Sequence, residues 1–177
     1  MSVNDEKFSV DLKEFDLDQA REKELLEKQN ECSFVWTNKQ GEPVGVVMCY
    51  LAAKGKLWLC MTEERARVAA VRRDPRTCVI VSSAGTDMRT GKAVTYKGTS
   101  VVHAHDAPLL KGWFFEAYAA RLHKGSDREK IRQIMADIDI PERVVIEFTP
   151  TKSIGYDGDK MAAKVPGTGG NFDRIFR

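Results

Sequence analysis

Apolar residues along this chain recur with two different periods, and each period predicts a different kind of element. Residues 32–37, 44–52, 57–62, 77–83, 93–104 and 143–149 are rich in branched and aromatic side chains and read as strands. In the last of these Val144, Ile146 and Phe148 alternate with other residues and are expected to face inward; residues 150–156 continue or bend it. The 57–62 run, Leu-Trp-Leu-Cys-Met-Thr, is apolar on both faces, as a strand between two layers must be. Polar turns at residues 38–43 and 54–56 join the first three strands into an antiparallel meander. Gly98, inside the fifth strand, implies a bulge or a close backbone approach.

The helical period appears in four places. Residues 17–30 alternate Glu and Lys around Ala20, Leu25 and Leu26. Residues 63–73 place Ala66, Ala69 and Ala70 on a narrow face expected to lie against a sheet, and Pro75 ends the helix. Asp106 caps a third helix, with Pro108 in its first turn and Leu109, Leu110, Trp113, Phe114, Ala117, Tyr118 and Leu122 at helical spacing. That broad face suits core packing, a dimer contact or a pocket wall. Residues 126–129 form a capping box for a fourth helix with Ile131, Ile134, Met135 and Ile138 as its buried stripe. Residues 1–16 read as an extended arm, 17–160 as the folded domain, and 161–177 as a Gly-rich tail whose Phe172, Ile175 and Phe176 need a surface to cover. The 84–92 segment has no apolar period and is expected to be an exposed loop.

Composition narrows the function. The chain has 177 residues, 42% hydrophobic, enough for a substantial core. Its 28 basic residues nearly balance 26 acidic ones, which argues against a nucleic-acid partner. No targeting segment or membrane-length apolar run is visible, so a cytoplasmic protein without a membrane partner is expected. Cys32, Cys49, Cys60 and Cys78 are scattered without a C-x-x-C pair, a pattern of buried free thiols and no metal site. No nucleophile–base arrangement stands out, and no catalytic residue is assigned. His103 and His105 share a strand face, as a proton-donor pair or as surface residues; with His123 they are the candidate haem ligands.

The strongest candidate chemistry is local. Thr62 ends a strand, a helix start follows with unpaired backbone N–H groups, and Arg65, Arg67, Arg72 and Arg73 gather around it. Such a group is either a phosphate seat or a solvated basic face.

The order of elements resembles the split β-barrel flavoproteins related to pyridoxamine phosphate oxidase, a family that also includes deazaflavin-dependent reductases. The resemblance rests on Gly41-Glu42-Pro43-Val44, the 57–62 strand, the basic run 67–76 with its Asp74-Pro75-Arg76 stop, Tyr96-Lys97-Gly98-Thr99, and the strand 143–150. It implies a mainly β fold, a six- to seven-stranded antiparallel split barrel with peripheral helices. It implies FMN as cofactor, with deazaflavin coenzyme F-420 or haem as alternatives, and hydride transfer to or from a small organic substrate. Thr62 would hold the flavin phosphate, Arg67 would stand in place of the family's phosphate lysine, Arg65 would assist, and Met61 would adjoin them. Val46, Val47 and Met48 would lie along the ring. A homodimer with cofactor at the subunit interface is implied as well. Where the oxidase proper carries an arginine and a lysine on its second strand, this chain has Val46 and Leu51, so vitamin B6 is not the expected substrate.

Overall fold

A computed structural model describes residues 11–88 and 91–164. After a short 3-10 turn, Leu12–Phe15, the chain forms α1 (Gln19–Lys28), β1 (Glu31–Thr37), β2 (Pro43–Cys49), β3 (Leu51–Ala53), β4 (Lys56–Thr62), α2 (Ala66–Arg73) and β5 (Arg76–Ser82). It continues through β6 (Lys92–Ala104), a second 3-10 turn (Pro108–Leu110), α3 (Phe114–His123), α4 (Arg128–Ile138), β7 (Arg143–Asp157) and α5 (Gly158–Lys164). The strands make one antiparallel sheet in the order β2-β1-β5-β6-β7-β4-β3, curled so that β2 approaches β4. This is an antiparallel split barrel, with seven strands.

The two edge strands, β2 and β3, are separated in sequence by Tyr50 alone. The pattern predicts one strand over 44–52; the structure breaks it at Tyr50, because its first part pairs with β1 and its second with β4. Tyr50 is fully buried, and its hydroxyl donates to the Leu26 carbonyl at 3.1 Å, fixing the corner that draws the two sheet edges together. Lys54 (φ 55°) and Gly55 (φ 70°) make the tight turn from β3 into β4.

Two apolar clusters lie on opposite faces of β4. Leu57, Leu59 and Met61 point into the barrel with Phe34, Val79, Ile146 and Phe148. Trp58 and Cys60 point outward under α3 and α4, against Phe114, Tyr118 and Val145. The reading of 57–62 as apolar on both faces, and of Val144, Ile146 and Phe148 as inward, describes this arrangement. The long β6–β7 ribbon shifts register at Gly98, where a Cβ would lie 2.2 Å from the Thr149 carbonyl oxygen. Only glycine fits there.

Helix boundaries differ from the pattern for local reasons. Glu63 still follows the β4–β7 ladder, its N–H donating to the Glu142 carbonyl at 2.9 Å, so α2 starts later than residue 63. Its buried residues are Val68, Ala70 and Val71, while Ala66 and Ala69 are exposed; of the predicted alanine face only Ala70 meets the core, beside the two valines. Asp106 caps no helix: Gly112, at φ 73°, separates the 3-10 turn from α3. The α4 cap is Asp127, which accepts from Glu129 N and Lys130 N, and not Ser126. The start of the segment read as tail, residues 161–164, completes α5, which begins at Gly158; Asp157, buried at its start, accepts from Asp159 N at 2.9 Å. The arm's first ten residues, the tail beyond 164 (Phe172, Ile175 and Phe176 with it) and two residues of the 84–92 loop lie outside the described residues.

Candidate functional site

The residues of the predicted seat lie where β4 runs into α2. Thr62 is opposite Arg143 of β7, and Arg65 is the N-cap residue of α2. Arg65 makes no side-chain capping bond and the first turn holds no acidic residue, so the positive end of the helix is left uncovered on the protein side. The arginines then separate into two groups. Arg72 forms a two-pronged pair with Glu63, Arg73 donates to the Thr37 carbonyl at 2.6 Å, and Arg76 pairs with Asp74 at 2.7 Å. Among the described residues, neither Arg65 nor Arg67 takes part in an ion pair. Arg67 is half-buried, and its Nε–H points at the Met61 sulfur, 3.3 Å away. Burial and then the neighbouring Arg65 charge push the Arg67 pKa down, the signature of a cation short of counter-charge. The buried Nε of Arg143 has no hydrogen-bond partner.

One acid reaches this group. The Glu64 carboxylate accepts from the Thr62 hydroxyl at 2.5 Å, and that bond lowers its pKa, with Arg65 and Arg143 adding to the effect. Thr62, Met61, Arg65 and Arg67 are therefore brought together as expected of neighbours. The β2 residues are arranged otherwise. Val46 and Met48 pack against the barrel core, and Val47 faces outward, 67% exposed. Only the Val47 side chain and the strand's backbone are left for a flat ring.

Two of the three histidines, His103 and His105, are engaged. His103 Nε2 lies 2.9 Å from Glu147, whose other oxygen takes Lys56; His105 Nε2 lies 2.6 Å from Asp139. Burial pushes the Glu147 carboxyl up, but the bonds from Lys56 and His103 outweigh it and leave the pKa below the ordinary value. Sequence reading missed this cluster. Its signal was the alternation of Lys56 and Trp58 on β4 with Glu147 on β7, but the strand pairing that unites them is not local. The Cys32 thiol is raised to about 12 and Cys60 to about 11, chiefly by burial, so neither is a nucleophile at neutral pH. Among the described residues no cluster of acids, histidines and cysteines forms a metal site, and no helix is long and apolar enough to cross a membrane.

Residues 19–155 match the family described as pyridoxamine 5'-phosphate oxidase, and the chain belongs to that family. No curated protein matches it. Among solved structures, a conserved hypothetical protein, Rv2991 from Mycobacterium tuberculosis, is 16% identical with a TM-score of 0.73, over 92% of this chain and 99% of that one. HutZ, the haem storage protein of Vibrio cholerae, is 10% identical with a TM-score of 0.60, over 78% and 94%. An F420 reductase is 16% identical with a TM-score of 0.54, over 75% and 94%. At these identities the likeness is one of fold.

Proposed function

We propose that this chain is an FMN-dependent oxidoreductase that acts as a homodimer on a small organic substrate. The observation that carries the reading is the uncompensated pair Arg65 and Arg67 at the uncapped start of α2, beside the Thr62 hydroxyl. A phosphate there accepts from both guanidiniums and from first-turn N–H groups, and relieves their mutual repulsion. Glu64 must swing away from Thr62 for the anion to enter; it is fully exposed and free to do so. When bound, the flavin supplies a ring nitrogen that takes or gives a hydride. The chain's own part is to anchor the phosphate, to lay the ring along the Val47 strand and to exclude water.

The surface supports a dimer. Arg65 is exposed and Thr62 and Arg67 only half-buried, so the seat is open to solvent and a second wall would close it. Strand register places Val47, Ser33, Ile80, Thr95 and Ile154 in one row across the barrel's outer face, with both ends of the row exposed and apolar. A second copy laid on this row covers Val47 and Ile154 and closes the seat. A deazaflavin is the second reading, favoured by the F420 reductase among the structural relatives. Haem is less well served at His103 and His105, which are already paired with carboxylates.

The test is titration of the purified protein with FMN, riboflavin, the deazaflavin coenzyme and haem, followed by absorption and fluorescence. FMN is expected to bind more tightly than riboflavin, and Arg67→Ala to weaken FMN by about tenfold or more while leaving riboflavin and the melting temperature nearly unchanged. Equal binding of FMN and riboflavin would remove the phosphate seat. Selective deazaflavin uptake would transfer the same seat to that coenzyme, and haem uptake alone would make the protein a binder and not a flavin enzyme.

A further inference from the structure

A separate cavity lies on the other side of β4 and shares no residue with the phosphate seat. The end of β6, the Lys111–Gly112 turn, α3 and α4 enclose a cavity of about 370 Å³. Its walls are Trp113, Phe115 and the Met135 thioether, continuous with the outer apolar cluster. The volume is in the range that takes a compound of one or two fused rings. Phe115 is held edgewise by Phe114 (centroids 5.1 Å, planes 77° apart), and Trp113 by Trp58 (5.2 Å, 82°), so these walls are set before any ligand arrives.

The polar groups are as specific as the walls. His105, which lines the cavity 5.1 Å from the Phe115 ring, pairs through Nε2 with Asp139 at 2.6 Å. In the neutral ring that bond holds the proton on Nε2 and leaves Nδ1 as an acceptor, which nothing among the described residues takes. The lining also includes three acids, Asp106, Glu116 and Asp139, against one lysine, Lys111. Acceptors and negative charge around aromatic walls favour a flat ligand that donates hydrogen bonds and carries positive charge; carboxylates and phosphates are repelled. Lys54, whose Nζ sits 3.7 Å from the centroid of the Trp113 ring, shows the same indole already receiving a cation.

We infer that the cavity bounded by His105, Asp139, Trp113, Phe115 and Met135 is a binding site for a small protonated aromatic amine. The inference does not rest on the flavin reading, since no residue of the phosphate seat lines the cavity.

Tryptamine and indole-3-propionate test it, because they share a ring and differ in charge. The readout is the Trp113 indole N–H signal in a nitrogen-15 spectrum of the full chain, with calorimetry alongside. That N–H donates to the Leu109 carbonyl at 2.6 Å and sits at the cavity wall. Tryptamine is expected to shift the signal saturably and to bind at least about tenfold more tightly than indole-3-propionate. Asp139→Asn is expected to erase most of that preference, and Met135→Trp to block both probes while the melting transition stays cooperative. Equal affinity for the two probes, no saturation by tryptamine at millimolar concentration, or a preference unchanged by Asp139→Asn would each overturn the assignment.

Discussion

At the α2 end of the sheet an exposed Arg65 and a half-buried Arg67 make no ion pair among the described residues, whereas at the α3–α4 end three acids and a paired histidine line a cavity with preformed aromatic walls. The first region is chemically specific but geometrically incomplete; the second is enclosed within one chain. They hang on neighbouring strands of one sheet. Arg143 at the start of β7 lies opposite Thr62, while His105 immediately follows β6. The difference teaches that a strongly charged seat and a good cavity need not coincide in a single subunit. A seat of exposed cations keeps its solvation until a ligand or second subunit arrives, whereas an aromatic cavity must be built by packing from the start.

The largest expected effect separates the two regions. Phe114 is fully buried between Trp58, Trp113, Phe115 and Tyr118. Phe114→Ala should cost about 3–5 kcal/mol, read by chemical denaturation. Hydrogen exchange should show α3 and α4 loosened more than β1, β5 and the α2 seat. Uniform loosening would mean that the two clusters are one cooperative unit and would erase the contrast.

Next comes the ribbon that both regions share. Gly98→Ala forces a Cβ against the Thr149 carbonyl and the Phe148 ring. It should cost about 1–3 kcal/mol or more and loosen seat and cavity together. An unaffected melting curve would show that the ribbon relaxes freely at its register shift.

Smaller still is the Lys56–Glu147–His103 cluster, whose Glu147 side chain is 12% exposed and Lys56 35%. Glu147→Gln should cost about 1–2 kcal/mol at neutral pH, between the limits for exposed and buried pairs. The folded carboxyl titrates below its ordinary value of 4.5, so its contribution is complete above that pH and is lost as pH falls through the lower folded value. The stability gap between wild type and variant should therefore shrink in acid, measured as melting temperature against pH. A gap constant down to the acid limit would contradict the pairing.

Much of the fold could be read from the chain because strand periodicity is local. Val144, Ile146 and Phe148 announce their inward face by alternation, and Leu57 to Met61 announce a strand between two layers by having no polar face. The candidate seat was legible for a similar reason, since Thr62, Arg65 and Arg67 are neighbours in sequence. Which arginines remain uncompensated was not, because Arg73 is satisfied by a carbonyl on β1 that no local pattern places nearby. The wide apolar face of α3 was visible, but its start was misjudged: a proline and an aspartate look like a helix cap until Gly112 turns the chain.

By itself, the sequence determined the strand set, the apolar faces and the cluster of cations after β4, since each depends on residues within a few positions of one another. Tertiary structure alone decided that β2 and β3 are the two edges of one sheet, that His103 meets Glu147 and Lys56, and that His105 meets Asp139 over an aromatic cavity. Those contacts join residues distant along the chain, and only the long-range pairing of strands and the docking of helices bring them within bonding distance.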